Sequence, residues 1–337
     1  MSTMTTAGNQ APTGSAPAAP GRARGLRLGG MNWLVWRQHR AAYWTLLAAA
    51  AVTVVLIVVA RQQMMTYLDG YGYPHLKPDW EDRFNHRWLD IAALVIGYMP
   101  ILVGIFVGAP LLAGDLENGT AKLVNSQSAS RVRWLATKLG VTALVVAVST
   151  TVVAVAFGWW WTPIKTSSYV FSWIEGPAFD NTGPLPAALT LLTVVGGVAI
   201  GMLLRRTLIS MVVTFGFAVA VQVAWSQVRQ SLGTVLTVTS DKGVGDGSMP
   251  PVPEGAYIVD QSYVTSSGDF IGWGSCAEAT EKASNACLEQ AHVVGWGIEY
   301  IPLSQMASMQ WLGASILLAL TAGIAAFVIL WGRKRLV

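Results

Sequence analysis

The sequence predicts an all-α integral membrane protein of six transmembrane helices, with both termini on the cytoplasmic side. Three observations carry this. Six uncharged apolar stretches recur along the 337 residues, each long enough to cross a hydrocarbon core of roughly 30 Å as a helix. Basic residues gather on alternate sides of these stretches. Hydrophobic residues make up 53% of the chain and charged ones only 12%, a balance that suits lipid as the main solvent.

Residues 1–30 are rich in Ala, Pro, Gly, Ser and Thr, carry Arg22, Arg24 and Arg27, and contain no apolar run. They bury too little to fold alone and read as a disordered cytoplasmic tail. No h-region precedes Ala41, so a signal peptide is not expected. Residues 31–40 mix Trp33, Leu34, Val35 and Trp36 with Arg37, His39 and Arg40. That mixture suits a short connecting helix at the membrane surface, or a plain extension of the first span.

The first span is Ala41–Ala60, and a charged loop follows over 61–90. His75, Asp79, Glu81, Asp82, His86 and Asp90 fall in that loop without the spacing of a metal site, so no metal is expected. The second span, Ile91–Leu112, contains Pro100 and Pro110, which imply kinks. A basic loop over 113–138 leads to the third span, Leu139–Trp161, and a shorter loop to the fourth, Leu185–Leu204. The hinge Arg205-Arg206 separates the fourth span from the fifth, Thr207–Trp225. Residues 226–310 form the largest connection, with Ser240–Gly255 reading as loop and Ala277–His292 as helix. The sixth span, Trp311–Trp331, ends in a basic tail.

Orientation follows from the charges between spans. Residues 1–40, 113–138, 205–206 and 333–337 hold 14 of the 22 Lys and Arg but only two of the 18 acids, Asp115 and Glu117. One side is therefore net +12 and the other −8, and the basic side is cytoplasmic by the positive-inside rule. The overall charge of +4 averages two opposed faces and does not point to nucleic acid. Many of the 15 Trp residues lie near span ends, as indoles at headgroup level do. Both cysteines, Cys276 and Cys287, lie in the large connection on the acidic side. Outside the cytoplasm such a pair is expected to form a disulfide worth about 2 to 3 kcal/mol.

Catalytic signatures are missing: there is no GxxxxGK[ST] phosphate loop, no GxSxG, no HExxH and no GxGxxG after a strand. If ATP drives this protein, another polypeptide must bind it. The spans lack the Asp, Glu, His and Arg that mark ion relays. Gly104 with Gly108, and Gly197 with Gly201, stand at the spacing that lets membrane helices pack closely.

The cytoplasmic segment Gly114–Lys138 places Leu116, Leu123 and Val124 at near-helical spacing beside Asp115, Glu117 and Lys122, and Ser130 is positioned to cap the third span. It reads either as a short amphipathic element or as an ordinary loop whose Arg131, Arg133 and Lys138 enforce topology.

The run GAPLLAGDLENGTAKLVNSQSASRVRWLATKL resembles the corresponding segment of actinobacterial ABC-2-type permeases. Its elements are Glu117 before Gly119-Thr120, then Gln127, Ser128, Ser130 and Arg131, then Arg133, Trp134, Leu135, Lys138 and Leu139. Trp159–Trp161, Gly201 with Arg205 to Thr207, the cysteine pair, and Tyr300, Pro302 and Gln310 extend the resemblance over most of residues 31–337. Gly114-Asp115 and Met306–Met309 stand where the family often has Arg-Glu and Arg-Phe-Trp.

The resemblance implies an ABC exporter-like membrane subunit in the plasma membrane. Two such chains, identical or not, would pair, each seated on a separate ATPase subunit that holds ATP and Mg. The connection between the second and third spans would form the coupling element, through Asp115, Glu117, Gly119, Thr120, Lys122, Gln127, Ser128 and Arg131. No cofactor is expected on this chain, and the Glu117 carboxylate would meet a basic partner surface. Lipophilic drugs, peptides, antibiotics and lipids are all conceivable substrates. The alternative from another class is a non-transporting sensor or assembly protein that presents residues 226–310 outside.

Overall fold

The structure, a computed structural model, describes residues 30–77, 79–119, 130–167, 170–245 and 247–335. Six of its helices are long and apolar enough to cross a membrane: Met31–Gly70, Arg87–Glu117, Arg131–Ile164, Leu185–Leu204, Thr207–Leu232 and Leu303–Lys334. These are the first to sixth spans. The tail over 1–29 lies outside the described residues.

The first helix continues to Gly70, through residues that the sequence reading placed in a loop. Met64 and Leu68 prolong its apolar face and join a buried cluster with Trp80 and Leu89, which compensates for the polar side chains around them. Near its start the helix breaks at His39 (φ −108°, ψ 15°), setting Met31–Gln38 apart from the long remainder. The second span contains Pro100, and just beyond it Gly104–Gly108 widens into a π turn. Proline withholds one backbone donor. The Thr193 hydroxyl of the fourth span donates to the Pro100 carbonyl at 2.6 Å in this region.

The fourth span is the centre of the bundle. It packs against the second, third, fifth and sixth, whereas the first rests on the third. Its apolar window is 72% buried, against 17% for the fifth. The sequence LPAALTLLTVVGGVAIGMLL explains this, because Gly, Ala and Thr let several helices approach one axis. The span stops at Arg205, whose left-handed backbone (φ 57°) ends the helix before the fifth begins.

Between the fifth and sixth spans the chain folds into a four-stranded antiparallel sheet of order β1-β4-β2-β3. The strands are β1 (Leu236–Thr239), β2 (Tyr257–Thr265), β3 (Phe270–Gly272) and β4 (Val293–Ile301). Residues pair as Leu236 with Tyr300, Tyr263 with Trp296 and Val264 with Phe270. The sheet is a finding beyond the sequence reading, which saw only loop and helix here. The helix itself is present over Glu281–Gln290, with Thr280 accepting from the Ala283 amide at 3.3 Å. Gly295 lets the Ser240 backbone lie against β4, where the Ser240 amide donates to the Trp296 carbonyl at 2.8 Å. β4 leads directly into the sixth span, so the sheet stands on the acidic-side ends of the fifth and sixth helices.

Candidate functional site

At the basic-side end three helices meet around one ion pair. Asp115 lies near the C-terminal end of the second span. Lys138 lies two turns inside the third, whose helix starts where Ser130 accepts from the Arg133 amide at 3.3 Å. Lys138 has no exposure and Asp115 only 7%. A lysine buried so completely needs a counter-charge and acceptors. Asp115 supplies the charge through a direct ion pair, and the Leu111 carbonyl accepts from Nζ at 3.3 Å. Trp134, one turn before Lys138, places its ring 4.9 Å from the same ammonium. Gln38 Nε2, at the end of the initial segment Met31–Gln38 of the first helix, donates to the second Asp115 oxygen at 2.6 Å.

Glu117 ends the same helix and reaches elsewhere. Its Oε2 accepts from the backbone N–H of Thr207 at 2.8 Å, so it caps the fifth span, whose Arg206 supplies no side-chain cap. Gly119 adopts φ 70° in open space, a conformation that favours glycine. Arg131 is the first residue of the third helix. Thr120, Lys122, Gln127 and Ser128 lie outside the described residues. The basic counterpart of Asp115 thus comes from within the chain. From the sequence, Lys138 is either a topology element or part of the family-like motif, because a single lysine at a span end carries no sign of where it will be buried.

The four glycines form a seam between the second and fourth spans. A Cβ at Gly108 would lie 2.5 Å from the Val194 carbonyl oxygen, and one at Gly201 2.5 Å from that of Ala109. At Gly197 the nearest atom would be the Gly104 oxygen, 2.9 Å away, and at Gly104 it would be Thr193 Cβ at 3.1 Å. Helix backbones in such contact leave no room for a side chain.

The acidic-side end has a second polar node that the sequence reading missed. Arg229 of the fifth span donates to Asp180 Oδ2 at 2.6 Å, and Trp225 Nε1 donates to Oδ1 at 2.7 Å. Burial pushes the Asp180 carboxyl above its usual range, against the pull of the Arg229 charge and these two donors. Asn181 donates to the Ala93 carbonyl at 2.8 Å, and Gln310 of the sixth span donates to the Phe179 carbonyl at 2.9 Å. The segment 176–182 is therefore tied to three spans. Beside it a cavity of about 470 Å³ opens between the second, fourth and fifth helices, with Tyr98, Pro100, Leu189 and Gln222 among its walls. A disulfide joins Cys287, on the short helix of the sheet subdomain, to Cys276 in the turn before it.

A family model described as ABC-2 membrane transporter related matches residues 46–229. The match runs from within the first span to the end of the fifth and includes Asp115, Glu117, Lys138, all four seam glycines and the Asp180–Arg229 node. No curated protein and no solved structure matches the chain.

Proposed function

This chain belongs to the ABC-2 membrane transporter related family, a multi-pass membrane subunit of a transporter, and we propose that it is the permease of an ABC-type exporter. In this reading the basic face is cytoplasmic and the protein resides in the plasma membrane. A separate ATPase subunit binds ATP and Mg, in keeping with a sequence that has no phosphate loop. Two permease chains enclose the path of a small or lipophilic substrate.

One observation supports the mechanism above others: the end of the second span, where the chain enters its connection to the third, is anchored to three other helices. Asp115 binds Gln38 of the first and Lys138 of the third, and Glu117 binds the Thr207 amide of the fifth. A displacement imposed on this connection by ATPase closure is passed to four helices at once. The fifth receives it at its first turn, where a helix responds as a rigid body.

The test is reconstitution with the cognate ATPase, comparing wild type with Glu117→Arg. The variant should keep basal ATP hydrolysis and lose the substrate-stimulated part together with export. Stimulated hydrolysis and export at wild-type levels in Glu117→Arg would remove the coupling role. Failure of any ATPase to co-purify with the wild-type chain, with no transport, would remove the permease reading itself and favour a sensor or assembly role.

A further inference from the structure

Near the acidic-side ends of the first and second spans, two hollows share Ala60, Gln63, Trp88 and Trp160 and form one crevice. The deeper part, about 250 Å³, is walled by Leu56, Val59, Ile91 and Val95. The upper part, about 210 Å³, is bordered by Tyr67, Arg83 and Asn85. It is apolar below and polar above, which is the shape of an amphiphile.

Three features specify which amphiphile. Arg83 makes no ion pair among the described residues, and no carboxylate lines either part of the crevice. Arg83, exposed at the rim, therefore borders the hollow with no carboxylate in ion-pair contact. Trp160 is 3% exposed and stands on the wall that both parts of the crevice share. The change from apolar to polar wall falls at Trp88 and Trp160, and indoles concentrate at the headgroup level of a bilayer. A charged head placed there would sit where lipid headgroups already lie.

We propose that this crevice holds a phospholipid, with an acyl chain in the deeper part and the phosphate in the upper part against Arg83 and Asn85. A phosphodiester accepts charge-assisted hydrogen bonds and carries the charge that Arg83 lacks. The site stands apart from the coupling connection at the other end of the helices. It does not depend on the chain being a transporter.

The experiment reconstitutes the full chain in phosphatidylcholine vesicles doped with phosphatidylglycerol bearing a photoreactive acyl chain. A parallel sample carries a diacylglycerol with the same chain and no phosphate, and labelled peptides are mapped by mass spectrometry. The phosphatidylglycerol probe should label residues 53–60 and 88–95 well above the exposed Val223 of the fifth span, and the diacylglycerol should label them weakly. Arg83→Ala and Asn85→Ala should each lower this labelling about tenfold, the effect of losing one hydrogen bond to a charged group. An intact Cys276–Cys287 disulfide in both variants verifies folding. Equal labelling at Val223 would mean unselective annular lipid and overturn the proposal. Undiminished labelling in both variants, or equal labelling by the diacylglycerol, would mean an apolar groove without a phosphate site and overturn it too.

Discussion

Lys138 of the third span is wholly buried and ion-paired with Asp115 of the second, and Gln38 of the first donates to the other oxygen of the same carboxylate. Removing one member of such a pair leaves the other charge buried without compensation, which costs about 3 to 5 kcal/mol. Removing both with apolar residues of similar size can be nearly neutral. Lys138→Met and Asp115→Leu should each lower the unfolding midpoint of the purified protein sharply, while the double variant recovers most of the loss. Additive losses would show that the two residues act separately.

The glycine seam gives a contrast among chemically identical changes. Gly108→Ala and Gly201→Ala push a methyl against a backbone carbonyl that cannot rotate away, so each should cost about 1 to 3 kcal/mol by overpacking. At Gly140 of the third span nothing lies within 4 Å of the added Cβ. There alanine should be neutral or stabilise by about 0.4 to 1 kcal/mol. Thermal denaturation in detergent would rank the three, and equal effects at all positions would contradict the close approach.

Arg229→Met tests the acidic-side node. It strands the Asp180 carboxylate, 15% exposed at its side chain, and should destabilise by about 3 kcal/mol at neutral pH. Because burial raises the Asp180 pKa, the folded state takes up a proton more readily than the unfolded chain. That contribution to stability is present at low pH and lost as pH rises through the folded pKa. The deficit of Arg229→Met should therefore shrink on acidification towards the carboxylate range. A deficit independent of pH would mean that lost packing, not charge, is responsible.

A tag inserted after Gly268, at the β2–β3 turn, should be accessible in intact cells, while one at the C-terminus is shielded. The reverse pattern would invert the charge-based orientation. In the same preparations, peptide mapping without reductant should recover Cys276 and Cys287 as one linked pair. The Cys276→Ser, Cys287→Ser double variant should lose about 2 to 3 kcal/mol.

The sequence determined the number and order of the spans, because apolar length is a local property and a helix satisfies its own backbone wherever lipid surrounds it. It also located the packing glycines by spacing and both cysteines by segment, and it singled out Asp115 and Glu117 as the lone acids of the basic side. The short helix near Cys287 was legible from its composition for the same local reason.

Only the tertiary structure decided what pairs with what. β2 and β4 meet across a long intervening segment, from Thr265 to Val293, and the register slips between Ile258 and Asp260, which breaks the alternation that would announce a strand. Asp180 finds Arg229 across 49 positions and Gln38 finds Asp115 across 77. A charge at a span end looks the same in sequence whether it meets water or another helix. Lys138 became a buried member of a three-helix junction, and Glu117 the cap of a distant helix, because chain topology brings those helix ends together. Burial then makes each unpaired charge too costly to leave alone.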